Sequence, residues 1–97
     1  MARLIWTNPA LADLQAIAEY IELDNPVAAA KLVQKIFSTA LKLQNFPKLG
    51  KIPIEARHAS YKEIVIQPCR LFYRLENNSV YIVFITRMER DASHFRM

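Results

Sequence analysis

The sequence predicts a two-layer α+β domain: an N-terminal strand, a helical hairpin, then an antiparallel β-meander. Three observations carry this. Asn8-Pro9 and Asn25-Pro26 each precede a segment with apolar residues at helical spacing. Beyond residue 60 the chain changes to runs rich in β-branched and aromatic residues, separated by turn-forming breaks. With 97 residues there is room for one hydrophobic core, so these elements form a single domain over residues 1–97.

Arg3 to Thr7 is a short β-prone run. Asn8 then offers a capping side chain and Pro9 a residue whose missing N–H costs nothing in a first helical turn, so a helix is expected from Pro9. Leu11, Leu14, Ala18 and Ile21, helped by Ile17, mark its apolar stripe, while Asp13, Glu19 and Glu22 point elsewhere. The residue before a proline disfavours the α region, which ends this helix by about Asp24. Asn25-Pro26 opens a second helix with Lys31, Lys35, Ser38 and Lys42 on its wet side. Leu32, Val33, Ile36, Phe37, Ala40 and Leu43 occupy a broad dry side. Phe46 to Pro53 is a stiff loop that holds the only glycine of the chain, Gly50, at its turn.

Tyr61–Gln67, Cys69–Leu75 and Val80–Arg87 read as three strands, broken at Gln67-Pro68 and at Glu76-Asn77-Asn78-Ser79. A two-residue loop at Asn77-Asn78 sets the register, because Asn tolerates positive φ. It pairs Leu75 with Val80, Tyr73 with Ile82, Leu71 with Phe84 and Cys69 with Thr86 on an apolar face. The other face brings together Arg74 and Tyr81, Phe72 and Val83, and Arg70 and Ile85, with Tyr61, Glu63 and Val65 beside them. The helices can cover only one side, so the face of aromatics and arginines is expected to stay open.

Composition narrows the function. Hydrophobic residues make up 53% and charged residues 23%, a globular balance. No apolar stretch is long enough for a membrane helix, and the first residues lack the apolar region of a signal peptide, so a cytoplasmic protein away from membranes is expected. Cys69 has no cysteine to pair with, and His58 and His94 do not stand at metal-site spacings, so neither metal nor cofactor is expected. Residues 1–46 hold as many acids as bases, and the whole excess of +4 lies in residues 47–97, which favours an anionic partner there. One glycine excludes a glycine-rich phosphate loop, and Ser60, Ser93 and Cys69 have no triad partners at a recognisable spacing.

The open face carries the candidate chemistry. Arginines grip phosphates, aromatic rings stack on bases, and a carboxylate can take a ribose hydroxyl proton. Glu63, Arg70 and Arg87, with Tyr61 nearby, are therefore the candidate set for cutting RNA without metal. On the plainer reading, Glu63 pairs with the arginines and the rings cover their stems. His58 and His94 are candidate general acids or solvated surface residues.

Phe46-Pro-Lys-Leu-Gly-Lys resembles the proline-leucine-glycine loop of the RelE/ParE superfamily of bacterial toxins. Tyr61-Lys-Glu-Ile-Val and Arg70-Leu-Phe-Tyr-Arg-Leu resemble its strand signature, and Thr86-Arg-Met-Glu-Arg-Asp its closing segment. The likeness runs from Arg3 to Asp91. It implies a toxin of a type II toxin–antitoxin module, held by a cognate antitoxin with a DNA-binding N-terminus. Two branches are open: RelE-like members cut mRNA on the ribosome, and ParE-like members inhibit DNA gyrase without a nuclease site. Arg70 matches the nuclease arginine, and Arg87 falls near the closing basic position. Met-Glu-Arg-Asp, however, stands where the nuclease branch has His or Tyr, and Glu55 is only a loose match for its acid. The sequence is therefore read as ParE-like, with the ribosome-dependent nuclease and a non-toxic binding module as alternatives. Under that reading Arg70, Arg74, Arg87, Arg90, Phe95 and Arg96 contact the target, and Leu14, Ile21, Val33 and Phe37 contact the antitoxin.

Overall fold

The structure, a computed structural model, describes residues 1–54 and 61–88. Its elements run β1 (Arg3–Trp6), α1 (Asn8–Glu22), α2 (Pro26–Lys42), β2 (Tyr61–Ile66), β3 (Cys69–Glu76) and β4 (Ser79–Arg87). The meander is present, and β1 joins it parallel to β4, so the sheet is mixed and four-stranded in the order β1-β4-β3-β2. Both helices pack on one side of it. Leu14, Ile17, Leu32, Ile36, Ala40 and Leu43 meet Leu71, Tyr73, Val80 and Ile82 in the core. No helix among the described residues is long and apolar enough to cross a membrane.

The cap of α1 is Thr7, one residue earlier than the sequence reading placed it. Its hydroxyl accepts from the Ala10 N–H and donates to the Ile82 carbonyl at 2.7 Å, while its own N–H reaches the same carbonyl. Anchorage to β4 therefore turns the chain into the helix before Asn8, and Pro9 takes the second helical position. The buried residues of α1 are Ala10, Leu14 and Ile17, and Leu11 is left exposed. The second helix is capped by Asn25, as its Asn-Pro pair predicts.

Asn77 and Asn78 adopt positive φ, 48° and 61°, and form the two-residue hairpin loop. Leu75–Val80, Arg74–Tyr81 and Tyr73–Ile82 pair as expected. The register then slips. Phe72 pairs with Phe84, leaving Val83 as the extra residue of a β-bulge, and from there Leu71 meets Ile85, Arg70 meets Thr86 and Cys69 meets Arg87. The expected pairs Leu71–Phe84, Cys69–Thr86, Phe72–Val83 and Arg70–Ile85 are thereby corrected. Packing gives the reason: the bulge lets Phe84 stack on Phe72, with ring centroids 4.5 Å apart, and passes the core position to Ile85. On the other side, β2 pairs with β3 as expected, Tyr61 with Arg74, Glu63 with Phe72 and Val65 with Arg70.

The loop after α2 is tied to the sheet from beneath. The buried Tyr73 hydroxyl accepts from the Gly50 N–H at 2.8 Å and donates to the Pro47 carbonyl at 2.9 Å. Lys51 and Glu63 exchange both backbone hydrogen bonds. Gly50 is there because of close approach: a Cβ would lie 2.7 Å from both the Glu63 carbonyl and the Tyr73 hydroxyl oxygen.

Candidate functional site

The sheet face away from the helices gathers Glu63, Arg70, Phe72, Arg74, Tyr61 and Tyr81 from β2, β3 and β4. Its middle is closed rather than open. Phe72 is fully buried there, packed with Tyr61, Val83 and Phe84, and Tyr61 meets the Phe84 ring edge-on at 6.3 Å. Arg70 Nε donates to Glu63 Oε2 at 2.7 Å, with both side chains mostly covered, and its guanidinium lies 4.8 Å from the Phe72 ring centroid. The plainer reading of Glu63 is the one this geometry supports: its carboxylate is committed to an arginine. A buried carboxylate needs such a partner, because an unpaired charge is costly in a dry site. Farther along β3, Arg74 stands between Tyr61 and Tyr81 and reaches Glu76 at 3.3 Å. Among the described residues its buried Nε has no hydrogen-bond partner.

Arg87 is elsewhere. The bulge at Val83 sends its side chain to the helical side, where the guanidinium lies 4.2 Å from the centroid of the Tyr20 ring of α1. A groove of about 310 Å³ opens there between α1 and the end of β4, lined by Asp13, Tyr20, Thr86 and Arg87. Asp13 closes part of it by accepting the Ile85 N–H at 3.0 Å, which satisfies a β4 donor beyond the reach of the short β1. Glu63, Arg70 and Arg87 are therefore not brought together as one set. Arg90, Phe95, Arg96, Glu55, His58 and His94 lie outside the described residues.

The residues expected to meet a partner on the hairpin divide. Leu14 is core, only 6% exposed, and Ile21 and Val33 are half-buried against that core. Their apolar spacing served the fold first. Phe37 keeps 39% of its surface and lies against Trp6, with ring centroids 4.9 Å apart. Sequence reasoning missed Tyr20 and Leu41, which are more than half exposed. Leu41 follows Phe37 by four residues and could have been found by that spacing; nothing in the sequence marks Tyr20.

Residues 4–92 match the family described as the ParE toxin of the type II toxin–antitoxin system parDE. Toxin RelE2 of Caulobacter vibrioides is 33% identical over 91 residues, covering 93% of this chain and 99% of the relative. A chain of the solved chromosomal ParDE system of P. aeruginosa superposes with a TM-score of 0.76 at 27% identity, over 90% of this chain and 96% of that one. A chain of the RelBE2 toxin–antitoxin complex of Mycobacterium tuberculosis shares the fold, with a TM-score of 0.59 at 20% identity, over 89% and 96% of the two chains.

Proposed function

This chain belongs to the ParE toxin family of type II toxin–antitoxin systems, and from that premise we propose that it inhibits DNA gyrase in the cytoplasm and is neutralised by a cognate antitoxin. The observation that carries the gyrase reading is the separation of Arg87 from Glu63 and Arg70 by the Val83 bulge. A nuclease must hold its base and its phosphate-gripping cations around one scissile bond. Here Glu63 neutralises Arg70, and Arg87 serves the other side of the sheet. A protein that acts by binding needs only a shaped, charged surface. Arg74 on the outer face and Arg87 in its groove supply two parts of it, with Arg70 beneath and Arg90, Phe95 and Arg96 as proposed further contacts.

The antitoxin is proposed to carry a DNA-binding N-terminus and a tail that lies on the hairpin. Phe37 and Leu41 offer it exposed apolar surface, while Leu14, Ile21 and Val33 shape that surface from below. The solved relatives are toxin–antitoxin systems, which supports such a partner.

The ribosome-dependent nuclease remains the second reading because the relative from Caulobacter vibrioides carries the RelE2 name at 33% identity. Ribosomes programmed with a defined mRNA separate the two. A gyrase inhibitor leaves the A-site codon uncut when the purified chain is added, and efficient cleavage would replace the gyrase reading with the nuclease one.

A further inference from the structure

The hairpin divides its charge by helix. Within α1 the ionisable residues are Asp13, Glu19, Tyr20 and Glu22, with no Lys or Arg. From residue 25 to residue 54 the order reverses: Lys31, Lys35, Lys42, Lys48 and Lys51 occur without a single Asp or Glu. All five lysines are exposed, and among the described residues none forms an ion pair. An ordinary wet helix face mixes signs and gains from opposite charges four residues apart. Here Lys31 and Lys35 set like charges at that spacing, which costs the helix stability.

The three helical lysines lie on one line. At about 100° per residue, Lys31, Lys35, Ser38 and Lys42 fall within an arc of roughly 60° and span about 16 Å of axis. Val27, one turn before Lys31 and exposed, falls about 20° outside this arc, and Leu41, Ala30 and Phe37 fall about 60–100° from its edge. From Lys31 to Lys42 the stripe itself holds no apolar side chain and no ring, so over that length it offers an amphipathic peptide no surface to bury and an unpaired base nothing to stack on. Lys48 and Lys51 follow in the loop that Tyr73 and Glu63 fasten to the sheet.

We infer that the acid-free lysine stripe of α2, Lys31, Lys35 and Lys42, is a contact surface for the phosphate backbone of duplex DNA, to which Lys48 and Lys51 of the following loop add positive charge. Lysines act on phosphates as point charges and bind by releasing counterions, without regard to sequence. The choice of DNA rather than RNA rests on the gyrase reading, since gyrase holds a DNA duplex where a bound protein could touch it.

The test is anisotropy of a labelled duplex of about 20 base pairs with the purified full-length chain, between about 50 and 200 mM salt. Three to five phosphate contacts give a slope of log K against log salt of about −3 to −4.5. Lys31→Gln/Lys35→Gln/Lys42→Gln should weaken binding by about tenfold or more and make the slope shallower by about 3. The control Arg3→Gln/Lys62→Gln should change the affinity little, and circular dichroism checks that both variants fold. No binding at the lowest salt, equal loss in the control, or tighter binding to the same duplex in RNA would overturn the inference. Gyrase supercoiling with the same proteins keeps the two readings apart. Stripe-dependent DNA binding without gyrase inhibition refutes the gyrase reading alone, and gyrase inhibition without stripe-dependent DNA binding refutes this inference alone.

Discussion

Cys69 pairs with Arg87 across β3 and β4, so the backbones at Arg70 and Arg87 are near neighbours, yet the two arginine side chains leave the sheet on opposite faces. One residue does this. Without the extra Val83, period-two alternation would put Arg87 on the outer face beside Arg70.

If the two arginines belong to separate sites, they do not couple. Arg70→Ala and Arg87→Ala should change stability additively, within about 0.5 kcal/mol, when urea unfolding is measured for each variant and for the double variant. A coupling above about 1 kcal/mol would mean that they share partners and act as one set.

If the Glu63–Arg70 pair is structural, removing one partner should cost more than removing both. Glu63→Ala leaves a mostly buried guanidinium without its carboxylate, at a cost of about 3 kcal/mol. Adding Arg70→Ala to Glu63→Ala should recover part of that in the urea midpoint. If Glu63→Ala instead leaves the midpoint unchanged and abolishes toxicity in cells, Glu63 is a working acid and not a structural one.

Tyr73 is the fastener of the loop at residues 47–50. Tyr73→Phe leaves the Gly50 N–H and the Pro47 carbonyl without their partner and should cost about 1–3 kcal/mol. Gly50→Ala should be at least as harmful, because its methyl would lie against the Glu63 carbonyl and the Tyr73 hydroxyl. Burial pushes the Tyr73 hydroxyl above its ordinary value of 10.0, against the opposing hydrogen bond from Gly50. The folded state then holds the proton more tightly than the unfolded one. Stability is complete below pH 10 and falls as the pH rises through the raised value. Thermal unfolding as a function of pH should show this alkaline loss in the native chain, and a smaller one in Tyr73→Phe.

Thr7 joins the helix to the sheet. Thr7→Ala removes the α1 cap and the hydroxyl bond to Ile82, and should cost about 1–2 kcal/mol in the same urea measurement. Thr7→Ser retains both bonds and should recover most of it.

Most of the architecture was legible because its signals are local. The Asn-Pro pairs announced both helices, and Asn77-Asn78 fixed the first pairs of the β3–β4 hairpin. The partner of β1 was not legible, because parallel pairing with β4 is a long-range choice and four residues carry no pattern that names it. The bulge was hidden for a different reason. Tyr81-Ile-Val-Phe-Ile-Thr-Arg is β-prone throughout and has no glycine to mark an interruption, and the slip is decided by the Phe72–Phe84 stack, a tertiary contact. The candidate site inherited that error. Glu63, Arg70 and Arg74 were placed on their true face, and Arg87 on the wrong one. For the hairpin, apolar spacing could not separate Leu14, which builds the core, from Phe37, which reaches the surface.

The proposed function is that this toxin disables gyrase by binding, with no chemistry of its own. Supercoiling of relaxed plasmid by purified gyrase, with the antitoxin-free folded chain in stoichiometric excess, tests it most directly. The expected result is lost supercoiling together with trapped, cleaved DNA complexes, and a weaker effect from a chain truncated after Glu89. Undiminished supercoiling with no trapped complexes would contradict it.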